Sequence, residues 1–210
     1  DTEFPLLTEL PANYYIAQSG LIASDKALAP THEAVYSAAA DSYSMSEGMD
    51  SLDVDLIWQH ETGIKVTKRY SFTRGSHLIE ISHHIENASD KNWSGRQYQQ
   101  LQKVRPSDDS QSAFIYTYTG GAIYSDEKKY EKIDFDEIED GDLNRDIKGG
   151  WQAMLQHYFV SAWVPPAEEV HHYYTKALKN GRYVLGSYSP SKAIAAGSKE
   201  SFSAKFFAGP

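Results

Sequence analysis

Between Leu52 and Asn87 apolar and polar positions alternate with a period of two, the spacing of strands that bury one face. The first strand sets Leu52, Val54, Leu56 and Trp58 against Asp53 and Asp55. In the second, Ile64, Val66, Tyr70 and Phe72 face one way, and Lys65, Thr67, Arg69, Ser71 and Thr73 the other. In the third, Ile79, Ile81 and Ile85 oppose Glu80, Ser82, His84 and Glu86. Glu61-Thr62-Gly63 and Arg74-Gly75-Ser76 supply turns at hairpin distances, so the segment predicts a meander with one wet face.

Shorter runs predict further strands at Tyr14 to Gln18, Ser42 to Met45, Arg96 to Val104 and Ala113 to Thr119, and later at Tyr173 to Leu178, Arg182 to Tyr188 and Glu200 to Phe207. Segments Ser24 to Ala34 and Arg105 to Ser112 carry Pro, Ser and Asp and read as loops. The run from Trp151 is ambiguous, because Trp151, Met154, Leu155, Tyr158 and Ala162 also fall at helical spacing. Its aromatic content, the preceding Gly149-Gly150 and the closing Pro165-Pro166 favour one or two buried strands with a kink. Many short strands in 210 residues indicate an all-β sandwich or barrel in a single domain.

Composition narrows the function. A net charge of −9 argues against a nucleic-acid surface, which needs clustered Lys and Arg, and against anionic lipid headgroups. No apolar run approaches the roughly 20 residues of a spanning helix. Asp1 to Leu7 lacks the basic and apolar regions of a signal peptide, so any export signal is expected outside these residues. The absence of cysteine excludes disulfides and thiol chemistry.

No residue emerges as catalytic, cofactor-binding or metal-ligating. His83-His84 and His171-His172 are adjacent pairs, and neighbours on a strand point to opposite faces, so neither pair chelates one ion. His60-Glu61 begins like a metalloprotease helix motif, but Ile64 stands where the second histidine belongs. His83 is expected to face the core, with its ring nitrogens hydrogen-bonded. Between Asp126 and Asp146 ten acids are offset by four bases, so this segment supplies most of the net charge of −9. Asp134, Asp136, Asp140 and Asp142 surround Gly141, yet their spacing does not match the calcium loop of twelve residues. A solvated acidic surface, or a docking patch for a basic partner, is the expectation. The sequons at Asn87 and Asn92 are read as chance. Phe114, Tyr116 and Tyr118 share a face of one expected strand and serve as core or line a groove.

One ordered set of elements identifies the chain more sharply. A Gly120-Gly121 turn is expected to feed Ala122, Ile123 and Tyr124; a Lys129-Tyr130-Glu131-Lys132 block follows; Gly149-Gly150-Trp151 then opens the aromatic run to Pro165. Weaker echoes are Tyr15 to Leu21, Lys68 to Gly75 and the terminal Phe207-Ala208-Gly209-Pro210. This order resembles the large first periplasmic domain of YidC, the membrane protein insertase of Gram-negative bacteria.

The resemblance implies a large two-sheet antiparallel β-sandwich of the galactose-mutarotase-like kind, a β-supersandwich, with one or two short helices. It implies a non-catalytic domain on the periplasmic face of the bacterial inner membrane, in a protein that inserts and folds inner-membrane proteins. SecD, SecF and the Sec translocon are the implied partners, for docking or possible substrate binding, with no cofactor. Relatives carry additional strands that would lie before Asp1, and they continue beyond Pro210 into an interfacial helix. The competing class is a carbohydrate-binding protein or aldose-epimerase-like enzyme on the same sandwich, which needs a His and a carboxylate converging in one cleft.

Overall fold

The computed structural model describes residues 5–106, 118–141, 143–156 and 158–210. Among them the strands are, in chain order, β1 (Tyr15–Ala23), β2 (Ser37–Ala38), β3 (Ser51–Gln59), β4 (Ile64–Thr73), β5 (Leu78–Asn87), β6 (Trp93–Val104), β7 (Gly120–Ser125), β8 (Lys129–Ile133), β9 (Asn144–Lys148), β10 (Trp151–Leu155), β11 (Val160–Val164), β12 (Val170–Ala177), β13 (Arg182–Tyr188), β14 (Lys192–Ile194) and β15 (Lys199–Gly209). One α-helix, α1 (Phe135–Asp140), and two short 3-10 turns accompany them. The strands form two antiparallel sheets, of six and nine strands. No helix among the described residues is long and apolar enough to cross a membrane. The chain divides into two compact units: one of residues 1–18, 99–188 and 207–210, the other of 19–98 and 189–206.

The second unit contains the predicted meander. β3 pairs with β4 and β4 with β5, and β2 adds to the outer edge of β3. Ile64, Val66 and Ile85 turn inward onto a cluster with Leu21, Trp93, Ile194 and Phe202, all nearly inaccessible. The Trp93 indole donates to the Leu28 carbonyl at 2.8 Å, so its one polar atom is satisfied as the ring is buried. The other face is wet, as its alternation requires. Lys65 pairs with Glu86 directly opposite, and Arg69 holds Asp55 through two bonds of 2.7 Å. Asn87, the first sequon residue, is buried and donates to the carbonyls of Lys91, Ile194 and Ala195.

In the first unit β11, β10, β7 and β8 pair in that order, and β13, β12 and β9 in another row. The run from Trp151 resolves into two buried strands, β10 and β11, paired from Gln152–Trp163 to Leu155–Val160. Gly149 and Gly150 carry the chain from β9 into β10 with φ of 62° and 76°. Such left-handed backbone penalises any residue with a Cβ, and at Gly150 a Cβ would stand 2.2 Å from the Tyr124 carbonyl oxygen.

Three expectations are corrected. Ser42 to Met45 is not a strand. Its side chains do not alternate between a buried and an open face, and Arg74 takes the carbonyls of Met45, Ser46 and Met49, satisfying this backbone as a loop. Gly120-Gly121 is not a turn but the start of β7, where Gly121 lies close under Ile133. Of the expected strand Ala113 to Thr119, residues 113–117 lie outside the described residues, and Tyr118 and Thr119 are not strand. The helix α1 and strands β7, β8, β9 and β14 were not legible as elements, being three to six residues long.

Gly150→Ala is expected to destabilise the fold by about 3 kcal/mol or more, because backbone must move to admit the methyl group. Gly141→Ala, equally left-handed at φ 72° but with open space around it, should lose only about 1 kcal/mol. Urea midpoints of the two variants check this; equal losses would overturn the steric account.

Candidate functional site

The acidic segment is largely spoken for within the first unit. Asp134 caps α1 through its carboxylate on the Glu137 N–H at 2.9 Å, and Glu137 reaches back to the Asp134 N–H at 2.7 Å. This reciprocal box satisfies two orphan donors and explains why six residues hold a helix. Gly141 closes the other end with a left-handed residue, and Phe135 and Ile138, three apart, supply the buried face. Arg105 reaches Asp136 at 2.7 Å and Glu139 at 3.3 Å, its guanidinium lying over the Phe135 and Tyr183 rings. The Asp136 bond holds the Arg105 pKa above its ordinary value. Tyr183 donates to Glu139, and Arg145 pairs with Glu131.

What remains outward is a smaller acidic set. Among the described residues Asp126, Glu127 and Asp140 are exposed, and Asp126 has only a distant Lys129 at 4.0 Å. An open depression of about 270 Å³ lies between the β7–β8 turn and β9, lined by Ser125 to Lys128 and Arg145 to Lys148. Beside it Tyr124 stacks on Trp151 with centroids 5.9 Å apart, and Tyr130, half exposed, tilts against the same indole. The edge strand β8 thus combines aromatic surface with charges of both signs.

The calcium alternative has no set of ligands behind it. Asp134 is a helix cap, Asp136 is held by Arg105, and Asp142 lies outside the described residues. No group of three potential ligands converges among the described residues. Both histidine pairs split across their strands: His83 and His171 are buried, His84 is exposed and His172 half-buried. His60 is an exposed turn residue bonded to Thr62. Of the aromatic row, Phe114 and Tyr116 lie outside the described residues; the Tyr118 hydroxyl donates to the Gly121 carbonyl and Lys132 covers its ring.

A His and a carboxylate meet twice among the described residues: at half-buried His172 and Asp146, 2.8 Å apart with the imidazole stacked on Tyr188, and at His171 and Glu169, 3.0 Å apart. The His171 ring is completely buried, its other nitrogen faces Gln99 at 3.3 Å, and desolvation lowers its pKa despite Glu169. With both of its nitrogens engaged, His171 has nothing left to address a substrate.

Pattern reading missed the buried cations. Lys68 and Lys103 are 6% and 7% exposed, and burial lowers each pKa to about 8. Lys68 donates to the Ser19 carbonyl at 2.9 Å; Lys103 lies 4.4 Å over the Tyr15 ring. A signal for Lys68 was present, since it occupies the inward parity of β4 between Val66 and Tyr70.

Comparison with known proteins supplies what no pocket does. The model of the YidC periplasmic domain matches residues 1–210. The chain belongs to this family. The membrane protein insertase YidC of Methylococcus capsulatus is 44% identical over 211 residues, covering 100% of this chain and 38% of that protein. The Alkalilimnicola ehrlichii protein of the same name is 41% identical, covering 100% and 37%. The chain therefore spans less than two fifths of the length of these relatives. A galactose mutarotase-like protein from Lactobacillus casei shares the fold with a TM-score of 0.55 at 9% identity, over 94% of this chain and 85% of that one. The GH36 alpha-galactosidase AgaB from Geobacillus stearothermophilus does so with 0.56 at 8%, over 91% and 30%. This chain thus shares the fold of mutarotase-like proteins, and the name its relatives carry is that of an insertase.

Lys68 gives the domain a pH signature. Its folded pKa of about 8 lies below the ordinary 10.5, so between those values the unfolded chain binds the extra proton and stability rises with pH. Below pH 8 the cost of the buried charge is fully present. Lys68→Met is therefore expected to raise stability by about 2 kcal/mol at pH 7 and by less at pH 10. Urea unfolding of both proteins at the two pH values measures this; parallel pH dependences would refute it.

Proposed function

We propose that residues 1–210 act as one non-catalytic periplasmic domain of a multi-pass inner-membrane insertase, which docks accessory proteins while transmembrane segments outside this chain handle nascent membrane proteins. The observation that carries this reading is the family match along the whole chain, in relatives that are named insertases and extend well beyond it. SecD and SecF are the proposed partners, and the proposed contact is the surface of the β7–β8 turn and α1. There Asp126, Glu127 and Asp140 remain exposed while neighbouring carboxylates hold the scaffold. Like-signed exposed charges steer a basic partner and make association salt-dependent. Docking is favoured over substrate binding because Tyr118, the described member of the aromatic row, is already engaged.

Binding of the domain to the periplasmic regions of SecD and SecF should weaken as salt rises. Glu127→Lys combined with Asp140→Lys should weaken it roughly tenfold while leaving the fold intact. Absence of binding at low salt, or a variant that binds like the parent, would exclude this surface.

The epimerase reading loses the closed His171–Glu169 pair and is left, among the described residues, with the His172–Asp146 pair, whose imidazole is stacked on Tyr188. Mutarotase and glycosidase assays should return no turnover; a rate abolished by His171→Asn or His172→Asn would restore the enzymatic reading.

A further inference from the structure

The inward face of β4 and β5 changes character within one rung. Val66 and Ile85, directly opposite each other, belong to the apolar cluster around Trp93 and Phe202. The next inward pair is Lys68 and His83, also directly opposite and buried to 6% and 0% exposure. Burying an ammonium costs several kcal/mol unless charge and hydrogen bonds compensate it. No carboxylate pairs with Lys68 among the described residues, and desolvation is the only influence that moves its pKa.

The surrounding polar atoms can be counted. Lys68 spends one N–H on the Ser19 carbonyl and lies 5.4 Å from the Tyr70 ring centre, leaving two donors. His83 Nδ1 stands 3.1 Å from the Gln97 amide nitrogen, which can only donate, so Nδ1 accepts and the neutral ring carries its proton on Nε2. Against the expectation that both His83 ring nitrogens are bonded, that Nε2–H has no partner among the described residues, nor have the buried Tyr36 hydroxyl and the Gln97 carbonyl oxygen. The loop carrying His32 and Tyr36 comes within electrostatic reach of Lys68, which acts on His32. Tyr98 accepts the His32 N–H at 2.9 Å and meets His32 Nδ1 at 2.6 Å, while Tyr36 senses Tyr70 and Tyr98 electrostatically. Glu33 is exposed and acts on His32 and Tyr98.

A buried cation without a counter-charge, flanked by a surplus of donors, matches one ligand chemistry. We propose that Lys68, His83 and Tyr36 form a binding site for an oxyanion, a carboxylate or a phosphate group. Lys68 supplies the charge, and the His83 Nε2–H and Tyr36 O–H supply directed bonds that shape the site around oxygen. The neutral imidazole suits this role, because it donates without adding a second buried charge. Anion binding returns the compensation that the fold withholds from Lys68 and so stabilises the folded state in proportion to occupancy. The site is independent of the proposed docking surface and shares no residue with it.

The test uses inorganic phosphate and acetate as separate probes on the 210-residue chain, at constant ionic strength with chloride as the balancing ion. The urea midpoint should rise saturably with at least one probe, and which one responds separates phosphate from carboxylate. The Lys68 titration, followed by NMR at its ε-carbon, should move upward under the same probe. Lys68→Met should weaken the response at least tenfold, Tyr36→Phe about fivefold, and Lys103→Met should leave it unchanged. Failure of both probes to move the midpoint and the Lys68 titration overturns the site. So does a Lys68→Met protein that responds like the parent. Should Lys68→Met not fold, the NMR titration of the parent and the Tyr36→Phe comparison decide alone.

Discussion

The register in which β4 lies against β5 is the constraint on which the second unit rests. With Val66 opposite Ile85 and Lys68 opposite His83, both inward rungs are set at once, one apolar and one polar. A slip by one residue would turn Lys65, Thr67 and Arg69 inward and break the Arg69–Asp55 and Lys65–Glu86 pairs outside. The apolar rung secures this pairing, since Ile64, Val66 and Ile85 complete a cluster that has no other way to leave water. The polar rung is carried by the apolar one, and a stable sheet can hold a lysine where an isolated hairpin would expel it.

The first unit uses charge in the opposite manner. Its acidic residues are numerous, but many hold structure: Asp134 and Glu137 close a helix end, Asp136 and Glu139 fix Arg105 over two rings, and Glu131 takes Arg145. Such pairs contribute little individually at half-exposed sites. Their effect is to order a short helix and a short edge strand that propensity alone would not maintain. The charges left outward are then displayed from a defined surface, which is what a docking patch for a basic partner requires.

The chain belongs to the YidC periplasmic domain family, whose model matches it from end to end. The mutarotase-like sandwich is shared with sugar-processing proteins at identities of 8–9%, where fold is all the likeness conveys. Within this chain the fully buried histidine that meets a carboxylate, His171, is closed on both nitrogens.

The sequence by itself determined the meander, because long alternation admits only one face for Ile64, Val66, Ile81 and Ile85, and its glycine turns lie at hairpin spacing. It also determined that His83 and His84 part company, a consequence of strand geometry alone. The ordered glycines, aromatics and prolines from Gly120 to Pro165 carried the family without any chemistry. Tertiary structure decided the rest. Strand Ser42 to Met45 was lost because its side chains find no buried face, and Arg74, remote in sequence, takes the carbonyl of Met45 and those of Ser46 and Met49 beyond it. Helix α1 depends on caps and on buried Phe135 and Ile138, contacts too few for periodicity to register. Parity pointed Lys68 inward, but only the folded chain set His83 opposite it, Ser19 above it and, among the described residues, no carboxylate beside it. Such partners come from strands separated by tens of residues, and no local pattern encodes which of them will share one low-dielectric interior.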